Sequence, residues 1–315
     1  MRGRRAQYYA AIGVVLVAAI GANAQKATFA TGRSSLAIPI EINNNLILIE
    51  TRLNGKRPIK LIFDTGASAT VINADLSDEL GIKGAEKIDG TATGGDIEGM
   101  MAKGVKIAVK GVEVSDQPVG LLTLPRIPGF DFDGAIGFDF IDQFVVEIDY
   151  VKKVMNLYDP PSYRYRGRGT VLPLRLKGRQ TPLIDAAFLF PRKPRVVARL
   201  ELDTGADNAF LLYSPFFEKH RLLATSKNTA TTPGRGAGGE TERIINRATR
   251  VSVSPFTFRD VPVLFSLQKE GLDEGTDGLL GGEVLRRFKV IIDYHRSRMI
   301  LEPNKGLKDP IEIEG

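Results

Sequence analysis

The sequence predicts a mainly β protein built from two copies of one lobe. The first observation is a long-period duplication. Asp133-Gly-Ala-Ile-Gly137 reads again as Asp277-Gly-Leu-Leu-Gly281, 144 residues later, and the register holds without a gap to Leu157 and Leu301. The second observation is the frequency of β-rich runs bounded by Gly, Pro and Asn, with little helical periodicity. Together they predict two domains of one fold within the 315 residues.

Two further landmarks repeat upstream in the same order. Asp64-Thr-Gly-Ala67 recurs as Asp203-Thr-Gly-Ala206, 139 residues later, and Gly94-Gly95 recurs as Gly238-Gly239, again 144 residues later. The second copy therefore holds about five extra residues between these landmarks. One Asp-Thr-Gly-Ala could arise by chance, but two copies followed by the same landmarks indicate an internal duplication.

The first copy reads in order as a series of β-hairpins. Asn54-Gly55 supplies the positive φ angles of a tight turn between two apolar runs, so residues 46–53 and 59–63 are predicted to pair. The other predicted hairpins are 105–109 with 112–114, and 144–150 with 154–158. Helical pattern is limited to short pieces at 73–80, 138–143 and 283–288.

The N-terminal segment has the pattern of a secretory signal peptide. Three arginines within residues 1–5 precede an uncharged apolar stretch that ends in Ala22-Asn23-Ala24, so we expect cleavage after Ala24 and export to the periplasm or the exterior. An uncleaved anchor is the alternative, although the apolar stretch is marginal for a hydrocarbon layer of ~30 Å. The predicted organisation is a signal peptide at 1–24, a first lobe at 25–159, a linker at 160–169 and a second lobe at 170–315.

Composition narrows the possible chemistry. The chain has no cysteine and only two histidines, which excludes a thiolate nucleophile and cysteine-ligated zinc and leaves little for a Ser-His-Asp triad or a multi-histidine metal site. The net charge of +6 falls to +3 without the three arginines of the signal peptide, which weakens the case for a nucleic-acid partner. If the protein is an enzyme, its chemistry is expected to depend on carboxylates, with no metal and no other cofactor.

The ordered landmarks resemble those of the aspartic proteases. Asp64-Thr-Gly-Ala-Ser and Asp203-Thr-Gly-Ala-Asp each follow an apolar strand, a Gly-Gly hairpin tip comes roughly 30 residues later, and each copy closes on an apolar-apolar-Gly segment. The sequence around each Asp is similar to the retropepsin-like branch, whereas two copies in one chain is the arrangement of pepsin. The resemblance covers nearly all of the mature chain. It implies two acid-protease β-barrel lobes that close on each other as an intramolecular pseudo-dimer, and therefore a monomer.

Asp64 and Asp203 are the candidate catalytic pair. Two carboxylates that lie close together share one proton, so one can activate water as a general base while the other donates a proton to the carbonyl oxygen of a peptide bond. The adjacent glycines let backbone N–H groups approach the carboxylates, and the resemblance implies that the adjacent threonines hydrogen-bond across the lobe interface. The candidate supporting residues are Thr65, Gly66, Thr204 and Gly205.

Ala67 and Ala206 stand where pepsin usually has a serine. A serine hydroxyl would donate a hydrogen bond to the ionised carboxylate, and the loss of such a donor raises the carboxyl pKa. We therefore expect a milder pH optimum than pepsin's.

The two Gly-Gly tips resemble the flaps of retropepsins, which close over an extended peptide that pairs as an added strand. The acidic residues that follow the glycines could favour basic substrates, or they could be solvated residues of a hairpin tip. The candidate flap and substrate-binding residues are Gly94, Gly95, Asp96, Gly238, Gly239 and Glu240.

These observations predict an exported aspartic endopeptidase whose partner is a polypeptide substrate, with no stable membrane association after signal cleavage. The alternative is a non-catalytic peptide-binding module on the same fold, which would use the cleft and the flaps without cleavage. The presence of both Asp64 and Asp203 favours the enzyme.

Overall fold

The computed structural model describes residues 9–10, 14–16, 27–127, 129–177, 181–225, 230–267 and 275–312. Within the predicted signal peptide only two short strands are described, β1 (Tyr9–Ala10) and β2 (Val14–Leu16), and the predicted cleavage site lies outside the described residues. In the ranges given above, no helix is both long enough and apolar enough to cross a bilayer.

The first lobe consists almost entirely of strands. Its two helices are one-turn segments, α1 (Ser77–Leu80) and α2 (Phe138–Ile141), and a 3₁₀ turn at Ala74–Leu76 precedes α1. The strands of this lobe are β3 (Ala27–Phe29), β4 (Ser34–Asn43), β5 (Leu46–Leu53), β6 (Pro58–Phe63), β7 (Val71–Asn73), β8 (Glu86–Ala92), β9 (Gly95–Val109), β10 (Val112–Leu122), β11 (Gly134–Ile136), β12 (Val145–Asp149) and β13 (Val154–Tyr158).

The second lobe repeats this order. Its helices are α3 (Ser214–Lys219) and α4 (Gly282–Leu285), with 3₁₀ turns at Leu222–Thr225, Tyr294–Arg296 and Lys305–Lys308. Its strands are β14 (Thr170–Pro173), β15 (Arg175–Lys177), β16 (Thr181–Leu189), β17 (Val196–Leu202), β18 (Phe210–Leu212), β19 (Ala230–Gly236), β20 (Gly239–Val253), β21 (Phe256–Ser266), β22 (Gly278–Leu280), β23 (Phe288–Asp293) and β24 (Arg298–Pro303).

The prediction of a mainly β, two-lobed protein is confirmed. In both lobes the strand that precedes the Asp-Thr-Gly turn lies parallel to a strand of the closing segment: Leu61 on β6 pairs with Gly134 on β11, and Leu200 on β17 pairs with Gly278 on β22. The duplication in the sequence is therefore a duplication of topology, which places the two Asp-Thr-Gly turns at equivalent positions.

Six adjacent strands of a fifteen-stranded sheet join the lobes, in the order β14-β24-β23-β12-β13-β4, and we call them the interlobe sheet. Its two central strands come one from each lobe and are antiparallel, with Glu147 directly opposite Ile291. These two residues are equivalent in the duplication, 144 positions apart. The pseudo-twofold axis therefore passes between them, and the main hydrophobic core extends through both lobes around this sheet.

The predicted hairpins are confirmed. β5 and β6 pair antiparallel around a turn in which Asn54 and Gly55 have φ angles of 51° and 70°. The β9–β10 and β12–β13 pairs are also present, although β9 and β10 are longer than predicted. The six-residue helix α3 was not predicted, because so short a segment contains fewer than two turns and gives little periodicity.

The linker is mostly exposed, as its charged, Pro/Gly-rich composition predicts, with Arg164, Arg166 and Arg168 at the surface, but one of its tyrosines is buried. Tyr163 is only 8% exposed and packs with Val145, Ile291 and Ile300 on the interlobe sheet. Its neighbour Tyr165 donates a hydrogen bond to Glu302, 2.7 Å away. The aromatic side chains of the linker thus cover the sheet that joins the lobes.

Candidate active site

The two Asp-Thr-Gly turns begin where β6 and β17 end. The backbone N–H of Asp64 donates to the carbonyl oxygen of Ile136 at 3.0 Å, and that of Asp203 donates to Leu280 at 2.9 Å. Both aspartates are buried, with 0% and 2% exposure. The closing segment of each lobe therefore fixes the start of its turn.

Backbone N–H groups of the turns hold the carboxylates. Oδ1 of Asp64 accepts hydrogen bonds from Gly66 at 2.8 Å and from Ala67 at 3.1 Å. Oδ1 of Asp203 accepts one from Gly205 at 2.8 Å. Because hydrogen bonds to a carboxylate favour its charged form, the additional donor favours the negative charge on Asp64.

The structure brings the two carboxyl groups together. A Cβ atom at Gly66 would lie 2.9 Å from Cγ of Asp203, and one at Gly205 would lie 2.3 Å from Cγ of Asp64. Each glycine thus lets the carboxyl group of the opposite lobe approach its backbone. Any side chain at the glycine would occupy the space that this carboxyl group needs.

Burial raises the pKa of both aspartates. Desolvation raises the pKa of Asp64 to about 6, although the backbone N–H groups and Asp203 oppose the rise. The pKa of Asp203 is raised well above its usual range, first by desolvation and then by the charge of Asp64. Such a pair retains one shared proton over a pH range in which isolated carboxyl groups are both ionised.

The threonines of the two turns bind each other's lobe. Thr65 Oγ1 donates to the carbonyl oxygen of Leu202 at 2.6 Å and accepts from the N–H of Thr204 at 3.0 Å. Reciprocally, Thr204 Oγ1 donates to Phe63 at 2.7 Å and accepts from the N–H of Thr65 at 3.0 Å. These buried hydrogen bonds fix the two turns relative to each other, as the sequence resemblance implied.

The two Gly-Gly hairpin tips, which are the candidate flap tips, touch. The N–H of Gly238 donates to the carbonyl oxygen of Thr93 at 3.0 Å, and a Cβ atom at Gly94 would lie 2.5 Å from the carbonyl oxygen of Gly239. Ala237 packs into a cluster of first-lobe residues that includes Ile88. The second flap therefore reaches over to the first lobe.

The acidic residues of the flaps lie on their outer face. Ile97 contacts the inner apolar cluster, so its neighbour Asp96 faces the opposite way and is exposed. Glu240 is also exposed and forms an ion pair with Arg235. This placement corresponds to the solvated hairpin tips that the sequence left as an alternative. Gly95 and Gly239 begin the returning strands β9 and β20.

One buried carboxyl group beside the site was not predicted. Asp139, on α2, accepts hydrogen bonds from the N–H and Oγ1 of Thr70, at 2.9 and 2.8 Å, and so fixes the chain that leaves the Asp64 turn. Burial raises its pKa to about 6. The equivalent residue Glu283 instead pairs with Arg287 at 2.9 Å. The recurrence of an acid at these equivalent positions was the signal that could have identified Asp139.

The described residues contain no group of three or more histidine, aspartate and glutamate side chains that could hold a metal ion. A second feature missed by sequence reasoning is a buried arginine, Arg243, on the inner face of the second flap. No repeated motif could have identified it, because its equivalent in the first copy is Gly99.

Comparison with known proteins is consistent with this geometry. A family model described as "Aspartyl protease" matches the chain twice, over residues 49–140 and 195–284. Among solved structures, the aspartic proteinase from Irpex lacteus matches with a TM-score of 0.55 and 15% identity, over 89% of this chain and 100% of that chain. At this identity the match shows the fold alone. No curated protein matches the chain in sequence.

Proposed function

The chain belongs to the aspartyl protease family, and we propose that it is an endopeptidase that hydrolyses peptide bonds with a water molecule activated between Asp64 and Asp203. The observation that carries this proposal is the convergence of two buried carboxyl groups, each reaching the glycine of the other's turn. Fold and family support a peptidase; the buried dyad supports this mechanism.

The proposed reaction begins with one proton shared by the pair. Asp64, which has the additional backbone donor, carries the negative charge and removes a proton from the water molecule, while Asp203 donates its proton to the carbonyl oxygen of the peptide bond. The water oxygen bonds to the carbonyl carbon and gives a tetrahedral diol. Transfer of a proton to the amide nitrogen then allows the C–N bond to break, which yields a carboxyl group and an amine and restores the shared proton.

The substrate we propose is an extended polypeptide bound between the dyad and the flaps. In the structure the flap tips touch through Thr93 and Gly238, so this hydrogen bond has to break before a peptide can enter. The backbone of an extended peptide can then satisfy the hydrogen-bonding groups of the flap tips.

We further propose that the mature protein starts at Gln25 and works as a monomer in the periplasm or outside the cell. The basic, apolar and Ala-x-Ala parts of residues 1–24 support export, and the interlobe sheet supports a monomer because a single chain supplies both halves. N-terminal sequencing of protein purified after export tests the cleavage: the first residue is expected to be Gln25, and an intact Met1 would contradict it.

The catalytic proposal is tested by incubating the exported protein with a mixed peptide library at several pH values and identifying products by mass spectrometry. Asp64→Asn and Asp203→Asn are each expected to lower cleavage by about a hundredfold or more, because each removes one of the groups that exchange protons with the substrate. Asp75→Asn, an exposed aspartate of the first lobe, is the matched control and is expected to retain activity.

Two results would contradict the proposal. Cleavage that survives either dyad substitution would exclude the dyad from the mechanism. Peptide binding without any cleavage by the unmodified protein would instead support the non-catalytic peptide-binding module.

A further inference from the structure

The inner face of the second flap holds an isolated positive charge. Arg243, on β20, has 0% exposure, and Nε, Nη1 and Nη2 of its guanidinium have no hydrogen-bond partner among the described residues. A buried guanidinium without an anion is strongly unfavourable, and its five N–H groups match a carboxylate in a bidentate arrangement. The side chain is therefore suited to bind an anion such as a carboxylate.

The arginine faces the same way as residues beside the dyad. Side chains alternate between the two faces of a strand, so Thr241, Arg243 and Ile245 share one face of β20. Ile245 packs against the cluster that contains Ala206, which is three residues beyond Asp203. Arg243 therefore lies on the cleft side of the flap, between its tip and the level of the dyad.

The guanidinium occupies space that a glycine leaves open. A Cβ atom at Gly234, on the neighbouring strand β19, would lie 2.6 Å from Cζ of Arg243 and 2.5 Å from Oγ1 of Thr241. That hydroxyl is also buried and has no hydrogen-bond partner. The Arg243 guanidinium and the Thr241 hydroxyl thus both lie beside Gly234, and neither has a hydrogen-bond partner among the described residues.

The first lobe shows that the fold does not require this arginine. At the equivalent positions Ile97 replaces Thr241 and Gly99 replaces Arg243, and the residue paired across the hairpin is Leu122 where the second lobe has Ser266. Ile97 and Leu122 belong to an apolar cluster. The two halves of the cleft therefore differ in chemistry, one apolar and one cationic.

An extended chain fits along the flap beside this group. β1 pairs in parallel with the edge of β19, with Tyr9 opposite Gly234 and Ala10 opposite Arg235. In the mature form proposed above, which lacks residues 1–24, that edge is open to another chain. The pairing shows that a peptide backbone can approach the strand that carries Gly234.

We propose that Arg243 and Thr241 bind a carboxylate of the peptide substrate, either an acidic side chain near the scissile bond or the C-terminal carboxylate. The guanidinium donates two hydrogen bonds to the carboxylate and the threonine hydroxyl donates a third. This inference rests on the proposed function and deepens it, since it names the substrate class as peptides with a carboxylate on the side of the second flap.

The test compares matched peptides with the exported protein, Arg243→Met and a control, Arg250→Met, which removes an exposed arginine from the same strand. In the first set, each position around the cleavage site carries Glu in one peptide and Gln in its counterpart. In the second set, the peptides have either a free or an amidated C-terminus. In one set, the unmodified protein is expected to cleave the carboxylate peptide with a kcat/KM at least about tenfold higher than that of its amide counterpart. An amide would leave the buried guanidinium without an anionic acceptor, which is costly. The set that shows the effect identifies the source.

Arg243→Met is expected to reduce this preference to about one, whereas Arg250→Met retains it. An equal rate for acid and amide in both sets, or a preference that survives Arg243→Met, would overturn the inference. Arg243→Met is also expected to melt at the same or a higher temperature, since it removes an unpaired buried charge. A lower melting temperature with an unchanged preference would show that a carboxylate of the protein itself holds the arginine.

Binding separates this inference from the proposed catalysis. Titration calorimetry on Asp203→Asn, with and without Arg243→Met, measures affinity for the same peptides without any cleavage. If the protein cleaves nothing, the proposed function fails, yet an acid-over-amide preference in affinity that depends on Arg243 still supports the carboxylate site. The absence of that preference overturns the site even if cleavage is observed.

Discussion

At the scale of the residue, burial raises the pKa of Asp64 and hydrogen-bond donors around the carboxylate lower it. Ala67 gives Asp64 a backbone N–H but no side-chain donor, and burial holds the pKa of Asp64 at about 6. Ala67→Ser adds a donor beside the ionised carboxylate, which lowers this pKa. The acidic limb of the pH profile of kcat/KM is expected to move by about one pH unit toward acid, the equivalent of one hydrogen bond to a charged group.

Rates on one neutral peptide across the pH range measure this shift. Ala85→Ser, at an exposed alanine of the first lobe, is the control and leaves the profile in place. An activity optimum of the unmodified protein at about pH 2 would contradict the raised pKa of Asp64, since the pair would then ionise as it does in pepsin.

Asp139 gives stability a pH dependence of definite sign. Its pKa rises from 3.8 unfolded to about 6 folded because of burial, so the folded state binds its proton more tightly. The resulting stabilisation is full below the unfolded pKa and is lost as pH rises through about 6. Asp139→Asn removes this dependence. From about pH 3 to about pH 8 the unfolding free energy of the unmodified protein should fall relative to the variant by ~3 kcal/mol.

Denaturant unfolding at a series of pH values measures this difference. The dyad is present in both proteins, so its own titration cancels in the comparison. Asp75→Asn serves as the exposed control and should follow the unmodified protein throughout. Parallel curves for the unmodified protein and Asp139→Asn would show that Asp139 is not shifted by burial.

At the scale of elements, contact between the flap tips requires glycine. Gly94 has a φ of +100° and its added Cβ would meet the backbone of Gly239 at 2.5 Å, whereas Gly104, on β9, has a φ of +72° and open space around it. Gly94→Ala and Gly104→Ala therefore each place an alanine at a positive φ, which lowers the free energy of unfolding by roughly 1 kcal/mol. Only Gly94→Ala also disturbs the contact between the tips. Gly94→Ala is expected to lower kcat/KM by about tenfold, and Gly104→Ala to leave it unchanged.

Melting temperatures measured beside the rates separate strain from tip contact. Similar melting temperatures with different rates support a functional role for tip contact. Equal rates for the two variants would mean that closure of the flaps against each other is not needed for cleavage.

Elements differ in how far the sequence predicted them. The hairpins at Asn54-Gly55 and after Asp149 were predictable because turn residues and β-rich runs are local signals. The packing of Tyr163 was not predictable, because the composition of its segment is that of a solvated linker and two of its partners, Ile291 and Ile300, belong to the second lobe. The approach of Asp64 to Asp203 was predictable because the Asp-Thr-Gly motif occurs twice. Arg243 was not, since its burial depends on cross-strand neighbours and its equivalent is a glycine.

At the scale of the whole molecule, one chain supplies both sides of the contacts that join the two lobes. The reciprocal hydrogen bonds of Thr65 and Thr204 and the β12–β23 pairing are both intramolecular. Sedimentation equilibrium of the exported protein is expected to give the mass of one chain at all concentrations. A dimer that dissociates on dilution would mean that the halves of one chain do not close on each other in solution.

The register of the central strands, with Glu147 opposite its own equivalent Ile291, is the register that two identical chains would adopt. In such a pair every substitution would occur twice, so both ends of the cleft would look the same and a bound peptide could lie in either direction. Because both halves lie in one chain, position 243 can be arginine while its equivalent, position 99, is glycine. Under the proposed binding of a substrate carboxylate by Arg243, this difference gives the cleft a polarity that selects one chain direction for the peptide and gives its two products different surroundings as they leave.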